Sequence, residues 1–76
     1  MNVTVLAFAR YSELLGFGKI EMQLPSATLL SELIEKPEFE PLPQEALLAV
    51  NQKFVGREEQ LNDGDEVALM PPVSGG

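Results

Sequence analysis

Two apolar segments, one near each end of the chain, have the residue pattern of buried β-strands. Residues 3–9 read VTVLAFA, an almost unbroken apolar run rich in β-branched residues, and residues 67–70 read VALM. Such runs are typical of strands that are covered, at least in part, on both faces. Successive side chains of a strand point to opposite faces of its sheet. In the first strand, Val3, Val5 and Ala7 are therefore predicted to point to one face, and Leu6 and Phe8 to the other. In the last strand, Val67 and Leu69 oppose Ala68 and Met70.

Two shorter segments follow the first strand. Residues 11–15, YSELL, predict a helical turn, and Gly16 is placed to end it. Residues 19–24, KIEMQL, alternate polar and apolar positions as a half-buried strand does. This part of the chain therefore predicts a second strand that returns beside the first.

The second half of the chain predicts a hairpin and a tight turn. Residues 46–51 indicate a strand, with Gln52 and Lys53 at its turn. Residues 54–55 then start a short partner strand. The Asp-Gly pair at 63–64 is a strong turn signal before the last strand.

A helix is predicted between the second and third strands. Pro25 stops the preceding strand, and Ser26 or Thr28 has the side chain of a helix N-cap. Pro37 marks the helix end, and three prolines within residues 37–43 favour a loop without regular structure. The apolar positions that fall on one helical face are Leu29, Leu30, Leu33 and Ile34.

The order of elements defines the fold class. Strand, strand, helix, strand, strand, strand predicts an α+β fold in which one main helix lies across one face of a mixed sheet of about five strands. No internal repeat or linker divides the chain. We therefore predict one domain over residues 1–70, followed by a tail over residues 71–76.

A single helix can cover only one face of such a sheet. If the first strand packs on the helix through the Val3 side and the last strand through the Val67 side, the uncovered face carries Leu6, Phe8 and Met70. Phe54 is a candidate neighbour of these residues. Exposed apolar patches of this kind usually mark protein interfaces. The alternative is that the loop over residues 37–45 folds across the patch and hides it.

Composition excludes several classes of function. The 76 residues include no cysteine and no histidine, so the chain lacks thiolate chemistry, the commonest metal ligand and the commonest general base. A net charge of −7 repels phosphate backbones and argues against a nucleic-acid partner. No apolar run is long enough to span a membrane and no export signal is evident, so a cytoplasmic location is expected. The sequence thus predicts neither catalysis by the chain alone nor a bound metal or cofactor.

Two local motifs are better explained as turns than as ligand sites. The sequence GFG at 16–18 has two glycines of a dinucleotide fingerprint but lacks the third glycine and its helix. The sequence NDGDE at 62–66 resembles a calcium loop, but its ligand spacing is wrong. Both segments are predicted to change the direction of the chain.

The last six residues have the composition of a stiff arm with a slender tip. Pro71 and Pro72 fix the backbone and cannot extend a sheet ladder. After Val73 and Ser74, the glycines need almost no lateral space and could enter a narrow channel of another protein. The reactive group that such an arm delivers is the α-carboxylate of Gly76, with Gly75 beside it. A carboxylate reacts with nucleophiles only after activation, for example as a mixed anhydride with AMP made from ATP.

Several sequence motifs together indicate a family. AVNQ at 49–52, the L-x-DGDEVA pattern at 61–68 and the ending PPVSGG accompany the opening VTVLAFAR-YSELLG at 3–16. In this combination, and over essentially the whole chain, the sequence resembles the small subunits of molybdopterin synthase. These are the sulfur-carrier members of the ubiquitin-like β-grasp proteins. The proline-rich segment 37–43 is the least typical part.

The resemblance implies a ubiquitin-like β-grasp fold and a mechanism. An E1-like activating enzyme uses ATP to adenylate Gly76, and a sulfur donor, either a sulfurtransferase or a desulfurase, converts it to a thiocarboxylate. The tail of residues 71–76 then enters the active site of the large synthase subunit, where sulfur passes to cyclic pyranopterin monophosphate. Two small and two large subunits are implied. The resemblance also assigns partner contacts to Phe8, Phe54 and Met70, on the face predicted to be uncovered.

Two alternatives share the same tip. One is a related sulfur carrier for thiazole formation in thiamine synthesis or for tRNA thiolation. The other is a ubiquitin-like modifier that forms an isopeptide bond through Gly76. The uncovered apolar face would serve any of these roles.

Overall fold

The chain folds around a single mixed sheet with two short helices. The computed structural model describes residues 1–72, and the predictions for Val73, Ser74, Gly75 and Gly76 lie outside these described residues. The elements in chain order are β1 (Asn2–Ala7), α1 (Arg10–Leu15), β2 (Lys19–Gln23), α2 (Leu30–Ile34), a 3-10 helix (Pro37–Phe39), β3 (Leu47–Val50), β4 (Lys53–Phe54) and β5 (Glu66–Met70).

The five strands are arranged in the order β2-β1-β5-β3-β4. The two terminal strands, β1 and β5, are parallel neighbours at the centre of the sheet, and every other pair is antiparallel. The predicted α+β class and mixed five-stranded sheet are confirmed, and the arrangement is that of a ubiquitin-like β-grasp fold. Because β1 and β5 run in the same direction, the residue after β1 and the residue after β5 meet at one edge of the sheet.

The core lies between one face of the sheet and the helices. The inner face of the two central strands is fully buried, as the alternation predicted, with Val5, Val67 and Leu69 each 0% exposed. Leu30 and Leu33 of α2 pack against this face within the same cluster. Burial of each such side chain contributes about 1.5–3 kcal/mol relative to leaving it in water. The other buried members of the cluster are Val3, Ala7, Tyr11, Leu24, Ile34, Phe39, Leu48, Val50 and Leu61.

The start of α2 differs from the sequence prediction. Neither Ser26 nor Thr28 caps the helix, since the N-cap position is Leu29 and the Thr28 hydroxyl donates a hydrogen bond to the carbonyl of Pro25 instead. The Glu32 carboxylate accepts a hydrogen bond of 2.8 Å from the Leu29 amide N–H. The amides of Leu30 and Ser31 donate to carbonyls of residues 59 and 57. A neighbouring loop therefore satisfies donors that a side-chain cap would otherwise have satisfied.

The proline-rich segment is more ordered than predicted. Residues 37–39 form a 3-10 helix with Pro37 in its first turn, a position that tolerates proline because its missing N–H is not needed there. Phe39 is 2% exposed and its ring meets that of Phe17 edge-to-face at a centroid distance of 5.9 Å. The prediction of an irregular loop over residues 37–43 was wrong for these three residues, because burial of Phe39 fixes the backbone around it.

A polar clasp joins the β3–β4 turn to the turn before β5. The β3–β4 turn falls on Asn51 and Gln52, both with positive φ, and not on Gln52 and Lys53 as predicted. The Asp65 carboxylate, 8% exposed, accepts hydrogen bonds from the Asn62 amide N–H at 2.7 Å and from Asn51 Nδ2 at 2.9 Å. The Asn51 side chain in turn accepts one from the Glu66 amide N–H at 3.0 Å. The clasp thus holds two separate turns in register.

We expect Asp65→Ala to lower the free energy of unfolding by about 2–3 kcal/mol, because it leaves two part-buried donors without an acceptor. Urea unfolding followed by circular dichroism measures the change. Asp63→Ala is the matched control: the Asp63 carboxylate is exposed and accepts one hydrogen bond, from the Asn2 amide N–H. Its loss should cost less than about 1 kcal/mol. Equal losses for the two variants would contradict the role assigned to the clasp.

Among the described residues, no helix is both long enough and apolar enough to cross a membrane.

Candidate partner-binding groove

The outer face of the sheet carries a lateral row of apolar side chains. In the strand register, Leu6 of β1 lies beside Ala68 of β5, Ala68 beside Ala49 of β3, and Ala49 beside Phe54 of β4. Cross-strand neighbours share a face of the sheet, so these four side chains form one continuous strip. Small alanines in the middle and larger side chains at both ends give the strip a concave profile.

This concavity is a groove of about 440 Å³. Its lining residues are Leu6, Phe8, Ala49, Gln52, Phe54, Glu66, Ala68 and Met70. The four residues predicted for the partner-binding face therefore come together in one place. We refer to these eight residues as the outer groove.

Two aromatic rings of the outer groove are unusually exposed. Phe8 retains 45% and Phe54 72% of its accessible surface, whereas Leu6 and Met70 are half-buried. A lone exposed apolar residue needs no explanation, but several that line one concavity indicate an interaction surface. Within residues 1–72, the one further large apolar side chain that is exposed is Leu14, 47% exposed on α1, and it is not part of the groove.

The segment proposed as an alternative cover lies elsewhere. Phe39 belongs to the core cluster and Leu42 packs against it, so residues 37–45 are directed to the inner face. No residue of that segment lines the outer groove. The alternative that this loop hides the patch is therefore wrong, because its own apolar side chains are used to close the core.

The outer groove adjoins the base of the predicted tail. Met70 is the last residue of β5 and a lining residue of the groove, and Pro71 and Pro72 follow it directly, both half-buried. At the same edge, the Phe8 amide N–H donates a hydrogen bond of 3.1 Å to the Leu69 carbonyl. Whatever occupies the groove therefore lies beside the start of the arm.

The groove contains members that sequence reasoning did not assign to a site. The alternation placed Ala68 on this face but gave no reason to single it out, and Ala49, Gln52 and Glu66 were missed. Ala49 is 3% exposed and lies outside the inner cluster, so its burial comes from neighbours on the outer face. Strand register, which depends on pairing between distant segments, was the missing information.

The two motifs set aside above are turns in the structure. Gly16 ends α1 in the left-handed conformation at φ 84°, and Phe17 packs on the core. In the segment 62–66, the Asp65 carboxylate is engaged by protein donors, and Gly64 takes the turn at φ 86°. Within residues 1–72, no group of three acidic, histidine or cysteine side chains is arranged to hold a metal ion.

Comparisons with known proteins agree with this geometry. The family model described as ThiS family matches residues 5–76. The molybdopterin synthase sulfur carrier subunit of Dictyostelium discoideum is 38% identical, over 95% of this chain and 93% of that protein. A solved structure from Pyrococcus furiosus, provisionally described as molybdopterin converting factor subunit 1, superposes with a TM-score of 0.85 at 32% identity, covering 96% of this chain and 99% of that one.

A second similar solved structure is a protein–protein complex of subunits 1 and 2 of the molybdopterin-converting factor from Helicobacter pylori. The matched chain is 27% identical with a TM-score of 0.69, and both chains are covered completely. The extent of these matches, together with the sheet order and the tail motif, establishes the relationship. The chain belongs to the ThiS family, among the molybdopterin synthase sulfur carrier subunits.

Proposed function

We propose that the chain donates sulfur to a molybdopterin synthase large subunit through a thiocarboxylate at Gly76. The observation that carries this proposal is that the family match runs to residue 76 and so includes the predicted tail. Relatives of comparable length bear the name of sulfur carrier subunit, and one similar chain is in complex with a second subunit. The chain itself acts as a substrate-carrying subunit of a sulfurtransferase complex, with the catalytic groups supplied by its partners.

The chemistry proceeds in two stages at one carbonyl carbon. An E1-like enzyme joins the Gly76 carboxylate to AMP from ATP and releases pyrophosphate. The carbonyl carbon then carries AMP, a good leaving group, where the free carboxylate has only an oxygen that leaves poorly. A sulfur donor, either a sulfurtransferase or a desulfurase, then attacks the carbonyl carbon through a cysteine persulfide and displaces AMP, which leaves an acyl disulfide. A second thiol cleaves the S–S bond and is itself oxidised to a disulfide with the donor cysteine, so that sulfur stands where a carboxylate oxygen stood. Gly75 and Gly76 suit this chemistry because the absence of Cβ atoms lets catalytic groups approach the carbonyl from any side.

Delivery depends on the arm and on the outer groove. Pro71 and Pro72 restrict the backbone at the point where the tail leaves β5, so fewer backbone conformations are lost there on binding. The outer groove, with Phe8 and Met70 beside this point, provides apolar surface for the large subunit. In this proposal Val73 and Ser74 occupy the channel that leads to cyclic pyranopterin monophosphate.

Intact-mass spectrometry tests the proposal. After incubation with ATP, the activating enzyme and a sulfur donor, the chain should gain about 16 Da, the exchange of one oxygen for one sulfur at the terminus. Fragmentation should place the gain on Gly76. An unchanged mass under conditions that modify a known carrier would contradict the proposal. A mass gain corresponding to attachment to another protein's lysine would instead favour the modifier alternative.

A further inference from the structure

Glu66 is the one charged side chain of the outer groove. It lines the groove at the opposite end of β5 from Met70 and the tail. Its backbone amide and carbonyl both bond to Asn51, at 3.0 and 2.8 Å. Within residues 1–72, its carboxylate accepts no hydrogen bond from a side chain or from the backbone. A half-buried glutamate whose carboxylate has no hydrogen-bond donor within residues 1–72 thus lines an apolar groove.

The surroundings of Glu66 on this face are acidic. In the strand register Thr4 lies between Glu66 of β5 and Glu21 of β2, which puts two carboxylates in one lateral row. Lys19, the cation on the same face, lies opposite Leu6 in the next row. Its Cα is roughly 12 Å from that of Glu66, from the strand spacing and the rise per residue. Lys53 is paired with Val50, whose side chain belongs to the inner core.

A partner that fills the groove therefore covers the Glu66 carboxylate, which has no compensating charge beside it. Covering a charged group removes its water, which is unfavourable unless an opposite charge or hydrogen-bond donors replace it. A second copy of this chain does not meet that need, because it brings a net charge of −7 and a second Glu66. A surface with an apolar projection and a basic side chain does.

We propose that the large subunit places an arginine or lysine opposite Glu66, beside an apolar side chain that enters the outer groove between Leu6 and Phe54. This inference rests on the proposed function, since it takes the large subunit as the occupant. The pair fixes the orientation of the carrier, because it lies at the end of the groove away from the tail. Apolar contact provides the area, and the ion pair selects the one alignment in which residues 73–76 point into the active site.

The test compares charge reversal at two glutamates. Association of the chain with the large subunit from the same organism is measured by stopped-flow at several salt concentrations. Glu66→Lys should slow association about 10-fold or more at low salt and flatten its salt dependence, as expected for a charge at an interface rim. Glu66→Gln should give a smaller loss in the same direction. Glu38→Lys is the matched control, since Glu38 is exposed on the 3-10 helix and lies outside the groove.

The outcomes separate this inference from the proposed function. The charge-swap experiment combines Glu66→Lys with a large subunit in which one basic residue is changed to glutamate. Fast association of this combination would establish the ion pair. Equal rates for Glu66→Lys and Glu38→Lys, with the parent chain binding normally, would overturn the Glu66 proposal alone. No binding by the parent chain would overturn both proposals. Self-association of the parent chain that is lost in Glu66→Lys would assign the groove to a second copy. Circular dichroism of each variant checks that the fold is retained.

Discussion

Removal of Gly76 should reduce sulfur transfer by at least about 100-fold while leaving the stability of the domain unchanged. One residue of extended chain spans about 3.3–3.6 Å. Reacting atoms must approach to about 3–3.5 Å, and a displacement of about 1 Å can already cost 100-fold in rate. The shortened tail therefore presents its carboxylate a full residue away from the catalytic groups of the activating enzyme. Adenylation is measured by pyrophosphate release, and transfer by pterin product with the large subunit.

The stability of the shortened chain should match that of the parent. The last strand ends at Met70, and the described core contains no residue beyond Leu69. Identical urea midpoints would show that the loss of transfer is chemical and not a consequence of unfolding. Gly76→Ala keeps the carboxylate in register and should retain more activity than the deletion. Normal turnover by the deletion variant would contradict the carrier role of the tip.

Ala68→Arg should weaken binding to the large subunit on the order of 100-fold, or about 3 kcal/mol. Ala68 lies on the floor of the outer groove between Leu6 and Ala49, so a long charged side chain there fills the space that a partner needs. Because the side chain points away from the core, the sheet can accept it. Isothermal titration calorimetry of the isolated subunits measures the change, and thermal melting checks the fold.

The matched control for Ala68→Arg is Ser26→Arg. Ser26 is exposed in the turn before α2 and does not line the groove, so the same charge is added away from the proposed interface. Its affinity should remain within about 2-fold of the parent, as is usual for surface changes away from special features. If the two variants bind equally well, the large subunit does not use the outer groove.

Strand faces were predictable because they depend on a local period. Alternation grouped Val3 with Val5 in β1 and Val67 with Leu69 in β5, and all four are buried, as expected if both pairs face the helix. The same alternation put Leu6 and Met70 on the opposite face, where the structure has them. The two-residue alternation of side chains can be predicted without knowing which strands pair, because it requires only that each strand be located in the sequence.

Features set by distant pairing were not predictable in the same way. The donors at the start of α2 are satisfied by residues 57 and 59, and the Asp65 carboxylate bonds to Asn51, 14 positions away. Phe39 lies between prolines, and no periodic pattern of apolar residues around it predicts that it is buried. In each case tertiary contacts decided the local conformation. Propensity favoured a side-chain cap that α2 does not have, and irregular structure where residues 37–39 form a 3-10 helix.

The residues of the candidate site also divide into those predictable from local alternation and those that depend on pairing between distant strands. The apolar members Leu6, Phe8 and Met70 followed from strand alternation and the count of helices. Glu66 and the alanine floor required the register between strands, which aligns residues from four separate segments. The tail was recognised from composition and family resemblance, since a terminal carboxylate has no signature in the fold.

In the proposed function, the carbonyl carbon of Gly76 carries the sulfur atom and releases it in the large subunit. The most direct measurement is the intact mass of the chain at two points in one reaction, first after activation and again after addition of the large subunit and cyclic pyranopterin monophosphate. We predict a gain of about 16 Da at the first point and its loss at the second, in step with formation of the sulfur-containing pterin. A chain that never gains this mass, or one that keeps it while pterin product accumulates, would contradict the account.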